Sequence, residues 1–110
     1  MPGLVYLLHF EKPIAPGRHT TQHYIGYAAD LAARIQEHST GHGARLTQVA
    51  RERGIHFQVA RLWHGDRGLE RRLKDRKQAP RLCPICGHGC AVKYAEEIPT
   101  EAIEDYLMAF

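Results

Sequence analysis

No run of eighteen apolar residues occurs in the 110-residue chain, so no segment reads as a membrane-spanning helix. The opening Met-Pro-Gly-Leu-Val-Tyr-Leu-Leu-His-Phe lacks the basic start and small-residue cleavage site of a signal peptide, and reads as a first strand. Cysteine is scarce. Three cysteines, two of them close together, suit a reducing compartment better than a disulfide framework, and a cytoplasmic location is expected. Internal repeats and low-complexity segments are missing, and asparagine is absent altogether. With 44% apolar residues, a chain of this length can fill one core but not two.

Charge is present but unevenly spread. Residues 1–40 carry three basic and three acidic side chains. Residues 41–82 carry eleven basic and four acidic, a net of +7, and residues 83–110 carry one basic and five acidic, a net of −4. A basic middle third points to a polyanionic partner, with nucleic acid the first candidate. A solvated basic helix without a partner is the simpler alternative.

Apolar and aromatic patterning predicts strands over Leu4 to Phe10, His23 to Tyr27 and Ile55 to Trp63. In the third, Ile55, Phe57, Val59 and Arg61 fall on one side. A loop containing Pro13, Pro16 and Gly17 joins the first two strands, which are expected to be antiparallel neighbours. Helices are predicted from Leu31 to His38, from Ala44 to Arg53 with Gly54 as terminator, and from Leu69 to Lys77 with Pro80 as terminator. A last helix is expected over Ile98 to Phe110, where Ile103, Tyr106, Leu107 and Phe110 form a stripe suited to core packing or a homodimer contact.

The segment Tyr24 to Gln48 concentrates the polar groups. Asp30 is a preferred N-cap. Leu31, Arg34, Ile35 and His38 stand at i, i+3, i+4 and i+7 and share one helix face. Tyr24, Arg34 and His38 are therefore expected to address one spot at the strand–helix junction. Arg34 and His38 could equally rim a core-facing helix, with the long Arg stem lying on apolar surface.

These residues resemble the GIY-YIG nuclease superfamily, in its small single-domain bacterial branch. The likeness covers about residues 4 to 78. It is carried by Leu4-Val5-Tyr6, by Tyr24-Ile25-Gly26, by the helix Asp30 to His38, by the run Ser39 to Thr47, and by Glu70 opening a basic helix. The resemblance implies an α/β (α+β) fold, a three-stranded antiparallel sheet flanked by helices. It also implies phosphodiester hydrolysis with one divalent metal, Mg²⁺ or Mn²⁺. Tyr6 and Tyr24 would line the site, Arg34 would hold the scissile phosphate, and Glu70 would bind the metal. His38 matches a histidine found in some restriction-enzyme branches. The first motif departs from the family in starting Leu4-Val5. Many members keep an asparagine after the glutamate, where this chain offers only Gln78.

The residue types suit that chemistry independently. A guanidinium fork neutralises a phosphodiester and grips two of its oxygens. A hard cation needs little more than one carboxylate, waters and the substrate. Tyrosine ionises near 10 and histidine near 6.5 when unperturbed, so either Tyr6, helped by a cation, or His38 could be the base. Arg45, Arg71, Arg72, Lys74, Arg76 and Lys77 would contact DNA phosphates. The two function classes are thus an endonuclease acting on DNA, structured or branched DNA included, and a non-cleaving nucleic-acid-binding module that uses the same basic face.

Residues 1–80 read as the nuclease-like domain, and residues 81–110 as a Cys-rich knuckle and C-terminal helix packed on it. Cys83-Pro-Ile-Cys86-Gly-His88-Gly-Cys90 contains a common half of a zinc site. Cys83, Cys86, His88 and Cys90 would supply four ligands from a tight eight-residue span. A histidine from elsewhere, such as His64 or His42, or from a second subunit, is an alternative. So are a Cys83–Cys86 redox pair and inert thiols.

Overall fold

The computed structural model describes residues 3–14 and 21–108. The expected positions Pro16, Gly17 and Phe110 lie outside that set. Strand β1 (Gly3–Phe10) pairs antiparallel with β2 (His23–Ala28) on one side and β3 (Phe57–Gly65) on the other. The class is the expected α+β, but the sheet has four strands rather than three. A short β4 (Glu96–Ile98) pairs with Leu62 to His64, giving the order β2-β1-β3-β4. Only three residues long and two of them acidic, β4 carries no period-2 apolar signal.

Successive residues of β1 point to opposite faces. Leu4, Tyr6 and Leu8 pack with Leu31, Leu62, Ile98 and Ile103, whereas Val5 and Leu7 pack with Trp63, Leu69, Leu73, Leu82 and Cys83. Both faces are covered, which is why Leu4 to Leu8 is an unbroken apolar run. Leu7, Leu8, Leu62 and Leu73 are fully buried, and truncating one to Ala is expected to cost roughly 2–5 kcal/mol.

The helices follow their caps. The Asp30 carboxylate accepts from Ala33 N at 3.2 Å and opens α1 (Leu31–Ser39), which stops at Thr40 and the left-handed Gly41. α2 (Arg45–Glu52) ends where Gly54 takes φ +68. α3 (Arg67–Asp75) starts two residues before Leu69, because the Asp66 carboxylate caps it by accepting from Leu69 N at 3.0 Å. It stops before Lys77, whose φ of +52 is left-handed. Pro80 therefore terminates nothing. It sits in the first turn of α4 (Ala79–Leu82), where a missing N–H is tolerated. The last helix is shorter than expected: a 3₁₀ turn, Thr100–Ala102, runs into α5 (Ile103–Leu107). Ile103 and Leu107 pack inward while Tyr106 stays exposed. No helix among the described residues is long and apolar enough to cross a membrane.

One irregularity re-aims a charge. Leu7 faces Arg61 and Leu8 faces Val59, so β3 carries an extra residue against β1. This bulge puts Val59 and Arg61 on opposite faces, not on one side as alternation predicts. Arg61 is consequently buried. Its Nε and Nη2 donate to Glu97 at 2.8 and 2.7 Å, and its Nη1 donates to the carbonyls of Leu82 at 3.1 Å and Cys90 at 2.7 Å. One guanidinium thus ties the chain after α4 to the sheet.

Candidate active site and metal centre

Tyr6 lies directly across from Gly26, and Tyr24 across from Leu8, so both tyrosines project from the same face. Their ring centroids are 6.3 Å apart. α1 lies over them and directs His38 inward. The Tyr6 hydroxyl is 2.6 Å from His38 Nε2, and His38 Nδ1 is 2.8 Å from Thr47 Oγ1. The Thr47 hydroxyl has its own acceptor, the carbonyl of Ala44 at 2.8 Å. With that proton committed, Thr47 Oγ1 must accept from His38 Nδ1–H. Nε2 is then unprotonated, and Tyr6 donates to it. The result is a directed wire, Tyr6 to His38 to Thr47 to Ala44. Two glycines make room for it: a Cβ at Gly26 would overlap the Tyr6 ring, and one at Gly43 would overlap the His38 ring. Thr47 stood in the sequence without an assigned role; its spacing of three from Ala44 gave no sign that it would orient an imidazole.

Burial sets the protonation states. It pushes the Tyr6 phenol up to about 12, against a lowering by the Arg34 guanidinium and with smaller raising contributions from Tyr24 and Glu70. It pushes His38 down to about 4, with the Arg34 charge as the second cause. The pair is a phenol beside a neutral imidazole at neutral pH. Arg34 lies beside the Tyr6 hydroxyl, yet its Nε is buried without a hydrogen-bond partner. Its ion pair with Glu37 is long, 3.6 Å, and solvated, so little is gained there. Glu70 reaches the same region from α3. Its mostly buried carboxylate is 3.2 Å from Lys74 Nζ, and Lys74 stands 5.5 Å from the centre of the Tyr24 ring. Tyr6, Tyr24, Arg34, His38 and Glu70 therefore gather around the edge strand β2.

Comparison with known proteins finds no matching family model, no similar curated protein and no similar solved structure. The chemistry of the site has to be read from its own groups. Among the basic residues, Arg45 and Arg71 are exposed. Lys77 is exposed too, at the turn beyond α3. Arg72 stacks on the Tyr94 ring at 3.7 Å, and Arg76 Nη1 donates to the Tyr94 hydroxyl at 3.4 Å. Those two cations are shared with the tail, not simply presented to solvent.

Among the described residues, two places could involve a metal. Glu70 offers a single carboxylate that also faces Lys74, enough for a largely hydrated Mg²⁺ or Mn²⁺ completed by a substrate oxygen, and not for a full protein cage. The other is a group that could hold a metal ion outright: His9, His23, Cys83 and Cys86, with ligand atoms all within 4.8 Å of one another. This corrects the set expected from the knuckle alone. Cys83 and Cys86 converge, but His88 and Cys90 are not in the group. His42 instead contacts Thr40, and His64 faces Glu96 and Tyr106. His9 and His23 were missed because neither is near the cysteines in sequence; only the β1–β2 register makes them neighbours.

Proposed function

We propose that the protein is a divalent-metal-dependent endonuclease of GIY-YIG type, hydrolysing phosphodiester bonds in DNA, structured or branched DNA among its substrates. The observation that carries this reading is the 2.6 Å contact between the Tyr6 hydroxyl and His38 Nε2, with the Arg34 side chain beside it and its Nε buried without a partner. Arg34 grips the phosphate with its fork. Water attacks phosphorus and gives its proton to Tyr6 Oη as Tyr6 passes its own to His38 Nε2. The bond from phosphorus to the leaving oxygen breaks, and that oxygen takes a proton from solvent. His38 is then an imidazolium whose Nδ1–H still donates to Thr47. Because the Arg34 charge is one cause of His38's low basicity, a phosphate on Arg34 neutralises that charge and makes His38 a better base. A Mg²⁺ or Mn²⁺ at Glu70 supplies charge stabilisation on the phosphoryl oxygens when bound. Arg45, Arg71 and Lys77 are suited to backbone phosphates. Three cysteines, none of them in a disulfide, favour the cytoplasm.

A second reading has its own support: Tyr6 and His38 are both 0% exposed. A wire closed to water suits a module that holds nucleic acid without cutting it. Incubation of the purified protein with nicked or branched DNA and Mg²⁺, beside Glu70→Ala, separates the two. Cleavage lost in Glu70→Ala supports the nuclease. Binding without cleavage in the wild type supports the module.

A further inference from the structure

We infer that His9 Nδ1, His23 Nε2, Cys83 Sγ and Cys86 Sγ form a structural zinc site that fastens the C-terminal tail to the sheet. The distances are the first ground. Metal–nitrogen bonds of about 2.0–2.1 Å and metal–sulfur bonds of about 2.3 Å at tetrahedral angles put nitrogens about 3.3 Å apart and nitrogen and sulfur about 3.6 Å apart. The two ring nitrogens are 3.3 Å apart. His9 Nδ1 is 3.5 Å from Cys83 Sγ and 3.6 Å from Cys86 Sγ, and His23 Nε2 is 3.4 Å from Cys86 Sγ. These match four of the six edges of a tetrahedron around one ion, and the remaining two, His23 to Cys83 and Cys83 to Cys86, lie within 4.8 Å.

Hydrogen bonding does not explain the cluster. His9 Nδ1 meets three partners, and a ring nitrogen has one proton or one lone pair to offer. A cation at the centre satisfies all four atoms at once.

Construction of the site is the second ground. His9 and His23 are register partners in neighbouring strands, which aims both rings to one side. The knuckle supplies the sulfurs from a tight turn: Gly87 N donates to Pro84 O at 3.1 Å, His88 N donates to Cys83 O at 3.1 Å, and Gly87 takes φ +87 just after Cys86. A side chain at Gly87 would strain that turn. Two thiolates with two imidazoles select Zn²⁺ over the hard cations suited to Glu70. A closed four-ligand set makes the site structural, not catalytic.

The site's position explains what it would do. It joins β1, the edge strand β2 and the tail on the face away from the Tyr6–His38 wire. His23 immediately precedes Tyr24, so the metal also fixes the end of the strand that presents Tyr24.

The test uses the full chain purified under reducing conditions. Metal analysis should find about one zinc per chain, and Co²⁺ exchanged into the site should give tetrahedral absorption with thiolate charge transfer. Only Cys90 should react rapidly with a thiol reagent until a chelator is added, when Cys83 and Cys86 become reactive. Cys90→Ser and His88→Ala should keep the Co²⁺ spectrum, whereas His23→Ala should weaken Co²⁺ binding by at least about tenfold. Wild-type protein that stays metal-free in excess Zn²⁺, or gives a six-coordinate Co²⁺ spectrum, overturns the site. Loss of the spectrum in Cys90→Ser with retention in His23→Ala overturns this ligand set. The wild-type spectrum decides the matter even if a histidine variant does not fold.

Discussion

Gly26 lies directly opposite Tyr6 in the β1–β2 register, and the Tyr6 ring occupies the space that a Cβ at position 26 would need. The same Cβ would press on the Tyr24 ring at 2.8 Å. Glycine in a strand interior usually weakens it; here it lets two aromatic rings lie across the edge strand. Gly26→Ala should therefore displace Tyr6 and cost about 1–3 kcal/mol, the usual range for overpacking. Cleavage should fall to the level of Tyr6→Phe while circular dichroism stays native. Wild-type activity in Gly26→Ala would show that the ring position does not matter.

The buried His38 also makes stability depend on pH. Its folded-state pKa, about 4, lies below the 6.5 of an unfolded chain. Between those values the unfolded state binds a proton that the native state refuses, so stability present above pH 6.5 is lost as pH falls towards 4. The full effect is roughly 3 kcal/mol at most. Burial and then His9 lower His23 as well, so the informative quantity is the difference between wild type and His38→Gln. Denaturant unfolding at several pH values should give a steeper acid loss for the wild type; parallel curves would contradict a neutral buried His38.

Local signals reached the cap of α1, the apolar face of α1 and the β1–β2 pairing. They did so because capping and helical periodicity are contained within a few residues. What stayed hidden depended on register. Thr47 and His38 meet only after α2 packs beside α1. His9 and His23 meet only when two strands align across a loop. Arg61 misled for the same reason: one extra residue in β3 turned it to the other face, and alternation along a sequence cannot reveal a bulge.

Arg61 itself should be hard to replace. It is buried, makes two hydrogen bonds to Glu97 and donates to two tail carbonyls. Glu97 is 41% exposed, so the ion pair contributes little through charge. The larger loss comes from the carbonyls of Leu82 and Cys90, left without their donor. Arg61→Ala is expected to destabilise by about 2–4 kcal/mol, and Glu97→Gln by less than about 1 kcal/mol. Equal losses in thermal or denaturant unfolding would mean that the pair, not the carbonyls, holds the tail.

The basic residues should not contribute equally to DNA binding. Arg71, Arg72 and Lys77 are exposed, but Arg72 stacks on the Tyr94 ring and the half-buried Arg76 donates to its hydroxyl. On duplex DNA each phosphate contact adds about 0.9 to the slope of log affinity against log salt. Arg71→Ala and Lys77→Ala should each reduce that slope by close to one contact. Arg72→Ala should reduce it less and lower stability instead. A salt-independent affinity would remove nucleic acid as the partner.

The Tyr6–His38 wire predicts that proton transfer fails when either residue is removed. Tyr6→Phe leaves Nε2 without its donor, and His38→Ala leaves the Tyr6 hydroxyl without its acceptor. Each should lower turnover by about 10²–10⁴-fold, the usual contribution of a positioned base. Retained turnover in His38→Ala would make Tyr6 the sole base. Arg34 adds a second test, because it acts on substrate and base together. Arg34→Lys keeps a charge near His38 but loses the fork, so turnover should fall more than binding while the His38 pKa stays low. Arg34→Ala removes the charge as well. His38 should then titrate at higher pH than in Arg34→Lys, yet still below 6.5, since burial is the larger cause of its shift. NMR titration of the His38 ring in the two variants measures this without any substrate. Identical pKa values would break the link between phosphate binding and base strength, even if both variants were inactive.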